Sequence, residues 1–146
     1  MADINATGFD EVLKALDQLA YSSSEMSIRA VDAAVPLVER TFKSNIQKAA
    51  NRKDKKGRPY STGALARSVV SQKAKLNKYG AYSVVKVTGV AKSGITREEQ
   101  LRYLEFGTKH QEPHPARAPT IAQVNSQVQD IMQKKLEQEI DRIWEG

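Results

Sequence analysis

The chain has 146 residues, 23 Lys/Arg against 17 Asp/Glu, and no cysteine. That length predicts one domain able to bury a real core, and the absence of thiols excludes disulfides, thiol catalysis and cysteine-based zinc sites. No window approaches the ~18 apolar residues of a membrane span, and the first residues lack the basic-then-apolar run of a signal peptide.

Residues 1–8 read as a flexible arm. From Phe9 to Leu19 the apolar residues Phe9, Val12, Leu13, Leu16 and Leu19 recur at spacings of three and four, which predicts an amphipathic helix. Ser22-Ser23-Ser24 interrupts the pattern and offers N-caps. A longer helix is expected from about Ser24 to Ala50, with Ile28, Val31, Ala34, Val35, Val38, Phe42 and Ile46 as its stripe. Pro36 falls inside it. Either this helix kinks there or two helices meet; the stripe stays in phase through the proline, which favours one kinked helix.

Residues 51–60 form a basic loop, with Arg52, Lys53, Lys55, Lys56 and Arg58 and no apolar residue before Pro59. It reads either as a solvated loop or as a contact with a phosphate backbone. It has none of the interleaved aromatics of a base-stacking surface. Ser61 or Thr62 can cap a short helical turn through Ala66. Ser68–Leu76 and Ala81–Val90 then read as two strands of a hairpin joined at Asn77–Gly80, with the lysines at 73, 75 and 86 on its wet face. Thr96 can cap a helix running to Phe106, with Glu98 and Glu99 in its first turn. The last helix is expected from Pro119 to Trp144, with Ile121, Val124, Val128, Ile131, Leu136, Ile140 and Ile143 as its stripe. The fold class is therefore α+β: long N- and C-terminal helices packed on a small antiparallel sheet built around a β-hairpin.

The end of the helix expected to run to Phe106 and the loop after it hold the segment Tyr103-Leu104-Glu105-Phe106-Gly107-Thr108, followed by the stiff run from Pro113 through Pro115 and Arg117 to Pro119. Tyr103, Leu104 and Phe106 read as core anchors. Glu105 among them must face solvent or find a partner, since an unpaired buried carboxylate is costly; Arg117 and Arg67 are the candidates. Gly107 can take positive φ and end the helix.

Chemistry-bearing constellations are few. His110 and His114 are the only histidines, and Pro113 and Pro115 bracket the second, so they cannot share a helical face. A metal site would have to draw on Glu105 and Glu112, the only nearby candidates, and no nucleophile–histidine spacing or phosphate-binding glycine loop is present. No catalytic residue, cofactor or metal is expected. From Lys43 to Arg117 there are 17 Lys/Arg against 5 Asp/Glu, a local charge of +12, while the flanks together carry −6. A basic middle between acidic ends suits either a polyanion or head-to-tail docking of copies.

Three segments together resemble the tailed-bacteriophage tail-component family, the tail-completion or head–tail joining proteins of siphophages. They are Ser61-Thr-Gly-Ala-Leu-Ala-Arg-Ser68-Val69, Tyr103-Leu-Glu-Phe-Gly-Thr108 and the proline run Pro113–Pro119. The likeness spans roughly Phe9 to Trp144. The third block departs from the family pattern, with Ala116 where that pattern has Phe. The resemblance implies a structural virion protein of the neck or upper tail, made in the host cytoplasm and forming a homo-oligomeric ring, a hexamer being favoured. Its implied neighbours are head-connector or stopper proteins and tail-tube or terminator proteins, with DNA passing nonspecifically through the lumen and no membrane involved. Tyr103, Glu105, Phe106, Gly107, Thr108, Pro113, Pro115 and Arg117 would form its fold-and-interface element. The alternative is a small nonspecific nucleic-acid-binding protein acting through the 51–58 loop.

Overall fold

The computed structural model describes residues 6–51, 56 and 63–145, with side chains described between Ser23 and Arg142. Among the described residues four helices and four short strands follow one another: α1 (Ala6–Ala50), α2 (Ala64–Arg67), β1 (Val69–Ser71), β2 (Lys75–Asn77), β3 (Gly80–Tyr82), β4 (Val85–Val87), α3 (Arg97–Phe106) and α4 (Arg117–Glu145). The architecture is α+β, as expected.

The first 50 residues do not divide as the sequence suggests. α1 is continuous over 45 residues, about 68 Å at 1.5 Å per residue, and begins at Ala6, inside the segment read as an arm. The serines at 22–24 do not break it. Ser27 Oγ donates to the Ser23 carbonyl at 2.9 Å, a side-chain bond to the preceding turn of the same helix. Pro36 is exposed and lies within α1; its missing N–H leaves the Asp32 carbonyl without a helical donor.

α4 packs antiparallel to α1. Asn45 near the C-terminal end of α1 meets Thr120 at the start of α4, and Arg29 meets Glu139 nineteen residues further along α4. The buried stripe of α4 differs from the expected one: Thr120, Val124 and Glu139 are buried, whereas Ile121 is 65% exposed and Ile140 is also exposed. Two of the stripe's buried positions are polar, and apolar periodicity alone cannot find them.

The hairpin forms where predicted, but in two ladders. β1 pairs with β4, Val69 opposite Val87, and β2 pairs with β3, Lys75 opposite Tyr82. Three residues (72–74) separate β1 from β2 and two (83–84) separate β3 from β4, so one strand carries an extra residue and bulges. Gln72 N donates to the Val84 carbonyl and Ser83 Oγ to the Gln72 carbonyl, closing the bulge across the strands. The Ala74 N–H donates to Asp32 Oδ1 at 2.8 Å, and Ser71 Oγ to Glu39 Oε2 at 2.6 Å. Moving from Ser71 to Ala74 along the strand thus moves from Glu39 back to Asp32 along α1. The hairpin therefore lies lengthwise on the helix, with its tip toward the helix N-terminus. Lys73, Lys75 and Lys86 are exposed, as expected.

The main core gathers at the C-terminal end of α1. Phe42 and Ile46 pack with Ala66 of α2, Val69 and Val87 of the first ladder, Leu101 and Leu104 of α3, and Ala116 at the head of α4. α2 is capped by Gly63 at φ 79, without a side-chain cap; Ser61 and Thr62, the expected caps, lie outside the described residues.

Candidate functional site

α3 begins as its sequence dictates. Thr96 Oγ1 accepts from the Glu99 N–H at 3.1 Å, and the Glu99 carboxylate accepts from the Thr96 N–H in return, a reciprocal capping box. The helix then carries two rows of apolar residues. Leu101 and Leu104, three apart, are buried; Tyr103 and Phe106, also three apart, are not. Tyr103 is 41% exposed and Phe106 is 73% exposed. The expectation of three core anchors therefore holds for Leu104 alone. At 3.6 residues per turn one short helix cannot send positions 101, 103, 104 and 106 to the same side.

Glu105 finds its partner in the backbone. Its Oε1 accepts from the Ala116 N–H at 3.0 Å and from the Arg117 N–H at 2.8 Å. The expected pairing with the Arg117 guanidinium is instead a pairing with the main chain of that residue. A carboxylate from the last turn of α3 thus caps the first turn of α4, where unpaired N–H groups and the helix dipole favour negative charge. The residue it grips matters, because Ala116 is 0% exposed and belongs to the core.

The intervening loop is wound tightly. Gly107 donates to the Tyr103 carbonyl at 2.8 Å and adopts φ 76. A Cβ at Gly107 would meet the Gln111 carbonyl oxygen at 2.7 Å and Pro113 at 3.0 Å. Glycine is required here for both reasons. Thr108 and Gln111 exchange main-chain hydrogen bonds at 2.9 and 3.3 Å, and the His110 N–H donates to Thr108 Oγ1 at 3.2 Å. The His114 N–H then donates to the Leu104 carbonyl at 2.7 Å. The corner is tied back to α3 at both ends, through Gly107 and His114, and closes on itself between Thr108 and Gln111.

On its other side the corner faces α1 across an open groove of about 330 Å³ lined by Asn45, Lys48, Ala49, Pro113, His114, Pro115 and Pro119. At its floor the buried Asn45 Nδ2 donates to Thr120 Oγ1 at 2.9 Å and to Gln123 Oε1 at 3.2 Å, and Thr120 Oγ1 donates to the Ala116 carbonyl at 2.7 Å. Sequence reading missed this polar link; the available signal was an amide at position 45, on the face that carries Phe42, Ile46 and Ala49. His110 is exposed and His114 half-buried, and no three His, Cys, Asp or Glu among the described residues gather to hold a metal. Of the basic loop, Arg52, Lys53, Lys55 and Arg58 lie outside the described residues, and Lys56 is exposed.

Two carboxylates on the helix pair are electrostatically tuned. Glu139 is buried and meets Arg29 at 2.7 Å, Lys135 at 3.4 Å and Arg142 at 3.6 Å. The Arg29 hydrogen bond, with further attraction from Arg142, holds its carboxyl below the ordinary glutamate range, and the same bond raises Arg29. Glu39 is also held low, first by the Ser71 hydroxyl and then by Lys43 at 3.0 Å. Both serve the joints between α1 and its neighbours.

No protein-family model, curated protein or solved structure matches the chain.

Proposed function

We propose that this chain is a structural subunit of a tailed-phage virion that assembles with copies of itself into a ring at the neck or upper tail. The reading rests on the resemblance carried by residues 61–69, 103–108 and 113–119. One physical observation carries it further: Phe106 is 73% exposed at the end of a helix whose exit is pinned by Glu105, Gly107 and the His114–Leu104 bond. A corner held by these bonds and presenting an aromatic side chain to solvent can bind a neighbour at little ordering cost, and aromatic residues, Phe and Tyr among them, are enriched at interfaces. Burying Phe106 contributes about 1.5–3 kcal/mol per contact. In a ring each subunit offers one face to a different face of the next, so Tyr103 and Phe106 would meet a surface away from their own corner. The joining of head connector to tail tube follows from the resemblance and not from the corner.

Light scattering on the purified protein tests the assembly. A closed oligomer is expected, with Phe106→Asp yielding monomers of unchanged helical content. A wild-type protein that stays monomeric at high concentration, together with virions that join their tails without it, would end the reading.

A further inference from the structure

The hairpin carries a second surface, unrelated to the corner. Between Asp54 and Glu98 the sequence holds ten Lys or Arg and no Asp or Glu. Four of these, Lys73, Lys75, Lys78 and Lys86, are on the hairpin or its bulge, and all are exposed. At the tip Tyr79 is 84% exposed, and Lys78 Nζ lies 4.9 Å from its ring centroid. Tyr82, directly across from Lys75, is also exposed.

Among the described residues two carboxylates reach the hairpin from α1, and both are engaged. Asp32 accepts from the Ala74 N–H, and Glu39 accepts from Ser71 and pairs with Lys43. They fasten the inner side of the hairpin to the helix and leave the lysine charge facing outward. Exposed lysines that pair with no carboxylate among the described residues attract a polyanion. Two exposed tyrosines among these lysines add flat faces on which bases can stack. The 51–58 loop lacks this pairing of charge and aromatic surface.

We infer that the hairpin from Lys73 to Lys86 is a sequence-indifferent nucleic-acid contact: its lysines neutralise phosphates, and Tyr79 stacks on an unpaired base. The inference stands whether or not the chain forms a ring. Its test measures binding rather than assembly, so the two can fail separately.

The experiment follows the full chain by fluorescence anisotropy against a labelled oligothymidylate and a labelled duplex. Each is about 20 units long, beyond the roughly 4–16 nucleotides one small module covers. Salt is varied from about 50 to about 200 mM. Wild-type protein should bind both, with affinity falling linearly against salt on logarithmic axes. Lys73→Gln/Lys75→Gln/Lys78→Gln should reduce the duplex slope by about 2–3, close to 0.9 for each phosphate contact removed. Tyr79→Ala should weaken oligothymidylate binding roughly tenfold and leave the duplex unchanged. Lys53→Gln/Lys55→Gln/Lys56→Gln serves as the loop control, and far-UV circular dichroism checks that each variant is folded. The inference is overturned if wild-type protein binds neither probe at the lowest salt, or if only the loop variant loses binding. It is equally overturned if the hairpin variants lose self-association by light scattering while binding nucleic acid normally, since the surface would then receive another copy of the chain.

Discussion

Glu105→Ala tests the corner directly. The substitution removes one carboxylate oxygen that accepts two main-chain N–H groups, at 3.0 and 2.8 Å. One of those amides belongs to Ala116, which is fully buried, so water cannot readily take the place of the lost acceptor. A hydrogen bond to a charged group contributes ~1.5–3 kcal/mol, a lost N-cap costs ~0.5–2 kcal/mol, and a charge at a helix start contributes ~0.3–1 kcal/mol. These overlap, so the loss should be about 1.5–3 kcal/mol. At about 2–4 °C per kcal/mol for a chain of this size, the melting temperature should fall by roughly 3–12 °C. Urea unfolding followed by circular dichroism, at concentrations below self-association, measures the same loss as a shifted midpoint with unchanged slope. Glu105→Gln keeps an acceptor oxygen and loses only the charge, so it should cost about 0.3–1 kcal/mol. Arg117→Ala should be nearly neutral, because the backbone of Arg117 and not its guanidinium receives the carboxylate. If Arg117→Ala matched Glu105→Ala, the pairing would be side chain to side chain and the capping argument would be wrong.

Gly107→Ala should destabilise by about 2–5 kcal/mol, from positive φ and the 2.7 Å approach of a Cβ to the Gln111 carbonyl; a variant melting within a degree of wild type would contradict this. Ala116→Phe should cost about 1–3 kcal/mol or more, since position 116 is 0% exposed in the core; a neutral outcome in urea titration would show space that the packing does not. Glu39 and Glu139 have folded pKa values below the ordinary 4.5. The unfolded chain therefore binds more protons between the two values, and stability present above about pH 4.5 is lost as pH falls through the folded values. Urea midpoints should drop from about pH 5 to about pH 3, and less steeply in Glu39→Gln; a midpoint flat over that range would refute the assignment.

What the sequence revealed was mostly local. Thr96 and Glu99 stand three apart, and the capping box needs nothing else. The Asn77–Gly80 turn and the valines on either side fix the hairpin within one stretch of chain. Errors arose where burial was read from residue type: Phe106 and Ile121 are apolar and exposed, while Asn45, Thr120 and Glu139 are polar and buried. Sequence reading matches Glu105 to an arginine side chain, Arg117 or Arg67, and not to the backbone it meets, because residue 116 returns to residue 105 only after the Gly107–Pro113 turns have closed. The serines at 22–24 misled for the opposite reason: serine favours a helix start yet is tolerated inside one, and local chemistry does not choose between them.

The bulge at residues 72–74 has a consequence for solubility. Removing one of these residues would bring the two ladders into step and yield an unbroken ribbon from Val69 to Asn77. Such a ribbon would offer a longer, flatter row of unpaired peptide groups, the kind of edge onto which strands from other molecules add. The interruption keeps each ladder at three residues a side and twists the ribbon where it would otherwise run straight. The irregularity that ties the hairpin to α1 thus also guards it against fibre-like stacking.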